Sequence, residues 1–185
     1  MDAGIATQLI TVGATLSGVV LTLGTNAYIE GRRARDTRAL ESMRLASEHA
    51  RWLRDERMKV YAEFSISGEE VMQLIRSELP ILLGPEGVVL QDDMEARWHQ
   101  LRTRLRKACN QVELFGTDAA RAAALLSWRT ARNGVNDLFH DLGNDLESSS
   151  GSRSDMLERI RALASDFGTS GERFLEACRK DLQRN

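Results

Sequence analysis

From Ala3 to Ile29 the chain carries no Asp, Glu, Lys or Arg, a run of 27 residues bounded by Asp2 and Glu30. As a helix it is about 40 Å long, more than the roughly 30 Å hydrocarbon core of a bilayer requires. A helix buried in a chain of 185 residues is usually shorter and carries some charge, so this length predicts a membrane span over residues 1–29. Gln8 and Asn26 stand near its two ends, within reach of headgroups, and Leu9 to Leu23 fills the middle. A cleaved secretory leader needs basic residues ahead of its apolar core. Here MDAG precedes the run, and Arg32, Arg33, Arg35 and Arg38 follow it. The positive-inside rule therefore predicts a retained single-pass anchor in the cell membrane, N-terminus outside and residues 30–185 cytoplasmic. The same four arginines are expected to fix topology and to lie among anionic headgroups.

One face of the expected span is poor in bulk. Thr7, Thr11, Ala14, Gly18, Thr22 and Thr25 recur at steps of three and four, while Ile5, Leu9, Val12, Leu16, Val19 and Leu23 fall on the other side. Small residues let helix backbones approach closely in lipid, and threonine hydroxyls bond across such a contact. This face predicts association between spans.

Beyond the span the apolar spacing stays helical, and no strand pattern competes. Met43, Ala46, Ala50, Leu53, Val60, Phe64, Val71 and Ile75 hold a 3–4 register whose one charged occupant is Arg57. Gly68 in ISGEE predicts a kink or restart there, with Ser67 and Glu70 at capping-box spacing. Pro80 and GPEG (84–87) predict the end of this first helix. The second helix is expected to carry Asp92 and Asp93 in its first turn, with a stripe of Met94, Trp98, Leu101, Leu105, Ala108 and Val112. The third, capped by Thr117, carries Ala124, Trp128, Ala131, Val135, Leu138 and Leu142. The fourth, capped by Ser154 after the linker ESSSGSRSD, carries Met156, Ile160, Leu163, Phe167, Phe174 and Ala177. Long helices joined by short connections become antiparallel neighbours. The predicted fold is all-α: a transmembrane helix (1–29) continuing into a helical stalk (30–55) and an up-down four-helix bundle (56–185). Trp98 and Trp128 are expected in the bundle core and Trp52 on the stalk surface.

Composition narrows function by exclusion. The formal charge is −2, which leaves no global field for nucleic acid. Acidic Glu30, Asp36 and Glu41 dilute the arginine cluster and no aromatic residues interleave with it. A di-metal centre in a helical bundle needs carboxylates on all four helices and Glu-x-x-His on two. The nearest approach, Asp137 to His140, falls off the apolar stripe; His99 is turned away from the core and His49 has no ligand one turn away. Cys109 and Cys178 are too few and too far apart for a disulfide framework or zinc knuckle, and are expected to be half-buried fillers. DFGTSG (166–171) lacks every other kinase element, and no Walker loop or dinucleotide fingerprint occurs. Neither an enzyme nor a cofactor is expected, and no small-molecule substrate is evident.

RWLRDERMKVYAEF (51–64), VELFGTDAARAAA (112–124) and RFLEACRKDL (173–182) together resemble a group of uncharacterised actinobacterial single-span membrane proteins. These have an N-terminal anchor and a helical cytoplasmic region. The resemblance implies that same architecture and carries over no functional residues. FSISGEE departs from the smooth helix expected at its place. The leading expectation for function is a membrane-anchored cytoplasmic helical scaffold or protein-interaction module, with the bilayer and a protein partner or a second copy as its partners. On the stalk, Leu45 and Trp52 lie seven residues apart and off the main stripe, which marks a second contact face. The alternative is a membrane-active effector that permeabilises the bilayer by oligomerising its span.

Overall fold

The computed structural model describes the backbone of residues 3–84, 87–145 and 151–183, and the side chains of residues 23, 25, 26, 28–84, 90–142 and 153–183. Four α-helices follow in order: α1 (Ala3–Gln73), α2 (Gly87–Phe115), α3 (Asp118–Asp145) and α4 (Gly151–Gln183). No strand occurs among the described residues. The chain divides into two compact units, Met1–Arg51 and Trp52–Asn185.

In the second unit, contacts along each helix pair give the direction of packing. Arg57, Glu70 and Glu78 meet Phe115, Arg104 and Arg97 in turn, so the rising numbers of the first helix meet falling numbers of the second. Arg106 lies over Trp128 and Trp98 bonds Asn136, which makes α2 and α3 antiparallel. Asp141 pairs with Arg159 while Gly134 faces Leu163, and Phe64 meets Phe174 while Arg57 meets Asp181. The result is an up-down-up-down four-helix bundle. Its core holds Val60, Phe64, Val71, Ile75, Trp98, Leu105, Val112, Ala131, Val135, Ile160, Phe167 and Phe174, the positions that the 3–4 spacing turns inward. The α3–α4 contact is the closest, because α3 presents Ala124, Ser127, Ala131 and Gly134. A Cβ on Gly134 would collide with the Leu163 side chain.

Several expectations are corrected. No kink or restart occurs at Gly68; α1 stays α-helical to Gln73, because Phe64, Ser67 and Val71 are buried on either side of the glycine and hold the register. The irregularity lies further on, in a π turn (Leu74–Glu78) and a 3-10 turn (Leu79–Leu83). Pro80 has no N–H, and its ring would clash with the carbonyl one turn earlier in a regular helix. The chain widens ahead of it, with the Leu79 N–H donating to Leu74 O, and the wider turn keeps Leu74, Ile75, Leu79 and Leu82 all inward. α2 starts at Gly87 and α4 at Gly151, so Asp92 and Asp93 lie past the first turn of α2, and Ser154 lies inside α4.

Trp128 is also misplaced by the stripe. It is only partly buried, and Ser127 takes the inward position beside it. The indole sits at the edge of the bundle, and the guanidinium groups of Arg106 and Arg132 lie over its ring, 4.5 and 4.6 Å from its centre. A guanidinium over an indole face is attracted by the ring's quadrupole, which suits a tryptophan at the edge of the bundle.

Candidate functional site

Arg57, the charge in the apolar stripe of α1, finds its partner on α4. Its Nε donates to the Phe115 carbonyl at 3.0 Å and its terminal nitrogen to Asp181 Oδ1 at 3.3 Å. The Tyr61 hydroxyl donates to Asp181 Oδ2 at 2.7 Å and accepts the Thr117 N–H at 3.4 Å. Phe115 ends α2, where carbonyls have no helical partner, and Arg57 satisfies one of them. Gly116 makes the turn to α3 under this cluster: a Cβ there would come within 2.7 Å of the Val112 carbonyl and 3.3 Å of the Tyr61 ring. The cluster thus ties α1, the α2–α3 corner and α4 at one end of the bundle.

Chemically this cluster is closed. Asp181 is 7% exposed and both of its oxygens are taken by donors. Burial, and then the hydrogen bond to Asp181, pushes Tyr61 up to about 12, so the phenol stays a donor at neutral pH. Sequence reading noticed Arg57 and missed Asp181, because the α4 stripe was followed only to Ala177. One further turn lands on Asp181, and an acid at the end of one stripe facing a base at the end of another was the available signal.

Both cysteines are more deeply buried than half-buried fillers. Burial first, with Glu113 adding to it, pushes Cys109 up to about 11, and burial with Asp181 pushes Cys178 up to about 12. Thiols held in this way are poor nucleophiles. All three raised groups favour the protonated folded state, so above about pH 9 the unfolded chain loses protons first. Stability should therefore be full below about pH 9 and fall as pH rises towards 12, read as a falling melting temperature. In parallel, a thiol reagent at pH 8 should label neither cysteine until denaturant is added. Rapid labelling of the native chain would contradict the burial.

His99 and His140 both line a shallow cleft between α2 and α3, with Glu95, Arg102 and Asn136. Arg102 donates to His99 Nδ1 at 3.1 Å, and Trp98 Nε1 donates to Asn136 Oδ1 at 2.8 Å. Among the described residues no group of three or more His, Cys, Asp or Glu could hold a metal ion. A second cleft, about 240 Å³, lies between α1 and α4. It brings together FSISGEE and DFGTSG, two stretches that are a hundred residues apart in sequence.

The positions singled out by sequence are distributed as follows. Thr7, Thr11, Ala14, Gly18 and Thr22 lie outside the residues whose side chains are described; Thr25 is exposed. Among the described residues no helix is long and apolar enough to cross a membrane; most side chains of the expected span are not among those described. Arg32, Arg33, Arg35 and Arg38 are all exposed, and Arg35 Nε donates back to the Gly31 carbonyl at 3.2 Å. Leu45 is 65% exposed in the first unit. Trp52 opens the second unit, half-exposed, with its ring edge-on to Phe115 at 6.5 Å. No family model, curated protein or solved structure matches the chain.

Proposed function

We propose that the protein is a membrane-anchored helical scaffold whose cytoplasmic region binds protein, a second copy of itself included. The observation that carries this reading is the described part of the first unit. There, Leu40 and Met43 are 68% and 69% exposed on a helix, Ala46 and Ala50 are exposed on the Met43 face, and Leu45, 65% exposed, lies on the other side. A helix gains most of its stability from packing an apolar face, and Met43, Ala46 and Ala50 continue in sequence the register of the bundle core. The charge-free run ahead of Glu30 and the arginines after it support an anchor with the bundle in the cytoplasm.

Two measurements test the two halves of the proposal. A cytoplasm-active reporter fused after Asn185 should work and an exterior-active one should not; the opposite pattern removes the orientation. For association, Met43→Cys should form a disulfide-linked dimer in membranes under mild oxidation, while Glu48→Cys, on the side of the helix away from Met43, Ala46 and Ala50, should form far less. The native thiols are buried and do not compete. Equal cross-linking at both positions, or none at either, would remove self-association through this helix.

A further inference from the structure

A formal charge of −2 conceals an uneven distribution. Residues 96–112 of α2 and 119–136 of α3 contain no Asp or Glu, while arginines and a lysine recur through both stretches. Some of these charges are answered from outside. Arg97 and Arg104 pair with Glu78 and Glu70, Arg121 with Asp118 at 3.5 Å and Arg106 with Glu113 at 3.4 Å. Arg102, Lys107, Arg129 and Arg132 form no ion pair among the described residues. Arg102 and Arg132 bond uncharged acceptors instead, His99 Nδ1 and Asn133 Oδ1.

The antiparallel packing of α2 on α3 gathers these cations. Arg102 and Arg106 stand one turn apart on α2, and Arg129 and Arg132 about one turn apart on α3. Arg106 and Arg132 both lie over the Trp128 ring, so their guanidinium groups are within about 9 Å of each other, less than a Debye length. Arg102, Arg106 and Arg132 are half-buried in the groove between the two helices. The cleft of about 390 Å³ that holds Arg102, with Asn136 and His140 of α3, continues this groove. Glu95 also lines the cleft and accepts from Gln91 at 3.0 Å. Like charges held this close repel one another, the more so where burial thins the water around them. An anion lodged between the helices reverses that repulsion.

We propose that the α2–α3 groove docks an acidic segment of a partner protein, its carboxylates entering between Arg102 and Arg106 on one wall and Arg129 and Arg132 on the other. Guanidinium forks bind carboxylates in a bidentate manner. Three features select a protein segment among polyanions. Single-stranded nucleic acid needs open aromatic faces for its bases, and the Trp128 ring already carries two guanidinium groups. A flat bilayer surface meets the outermost charges and leaves the half-buried ones unreached. Leu126, 43% exposed, and Ala122, exposed one turn before it, share the side of α3 that carries Arg129. They offer apolar contact, which a protein segment supplies beside its carboxylates. The inference rests on the protein-binding half of the function proposed above. Cross-linking through Met43 does not involve this groove, so either can fail alone.

The test uses the full chain in nanodiscs of zwitterionic lipid. The probe is a dye-labelled amphipathic peptide of Glu, Leu and Ala, with Glu at three- and four-residue spacing, read by fluorescence anisotropy. Saturable binding is expected, at least about tenfold weaker for the same peptide with Gln in place of Glu. Added salt should weaken it progressively. Arg129→Glu with Arg132→Glu should lower affinity by about tenfold or more. Arg173→Glu, an equally exposed site on α4, should leave it unchanged. If the double reversal fails to fold, Arg129→Gln with Arg132→Gln should bind several-fold more weakly at an unchanged melting temperature. No saturation at millimolar peptide, equal binding of the Gln peptide, or equal loss in Arg173→Glu would overturn the proposal. So would oligothymidylate or phosphatidylserine vesicles binding as tightly as the Glu peptide.

Discussion

Asp181→Ala is expected to cost the bundle about 3 kcal/mol. Removing one partner of a buried ion pair costs roughly 3–5 kcal/mol, because the other charge is left uncompensated. The low end applies, since the Arg57 side chain keeps 19% of its exposure and can still reach water. The Tyr61 hydroxyl also loses its acceptor, and a buried donor without a partner carries its own penalty. Replacing the whole cluster is a different experiment. Arg57→Met, Tyr61→Phe and Asp181→Leu together should recover most of the loss, because well-packed apolar residues often match a buried pair in stability. Urea unfolding of the single and combined variants reads both effects. Non-additivity beyond about 0.5 kcal/mol is expected, since the three side chains act as one network. A cost below about 1 kcal/mol for Asp181→Ala would mean that this end of the bundle is held by apolar packing alone.

Trp98→Ala is the second large effect, at about 3–5 kcal/mol, the range for deleting a large aromatic from a core. Trp98 is buried, and its indole N–H is satisfied by Asn136, so truncation opens a cavity and also leaves an amide oxygen without its donor. Trp128→Ala should cost clearly less. That ring is only partly buried, and its Nε1 is buried without a hydrogen-bond partner, so truncation also removes an existing penalty. Trp52→Ala should cost about 1 kcal/mol or less, as at most surface sites, because the half-exposed ring loses mainly its edge contact with Phe115. Comparable costs for Trp98 and Trp128 would show that both rings carry the core.

The contrast between these tryptophans shows where sequence reading stopped. Both fit a 3–4 stripe, but α3 packs closest against α4. That contact rotates α3 so that Ser127 and Gly134, which hydrophobicity ranks below tryptophan, face inward. A helix stripe is wide enough to admit either choice, and only the neighbour's bulk, here Leu163, decides between them. The Gly68 expectation failed for a related reason. The glycine penalty is local and small, whereas Phe64 and Val71, before and after it, are both anchored in the bundle core. Asp181 was passed over because burial of a charge is improbable without a partner, and its partner stands 124 residues away in sequence.

By itself the sequence determined the helical class, the number of long bundle helices, their short connections and most inward positions. It also marked the charge-free stretch with arginines on one side only. Each of these follows from local pattern: apolar spacing near 3.6, breakers at Pro80, Gly84 and Gly116, and the absence of alternation. Only the tertiary structure decided how far α1 continues past Gly68 and where its wide turn absorbs Pro80. It alone joined Arg57 to Asp181, and it alone set FSISGEE and DFGTSG around one cleft. Such choices depend on which side chains meet across helices, and that is set by how the packed surfaces interlock.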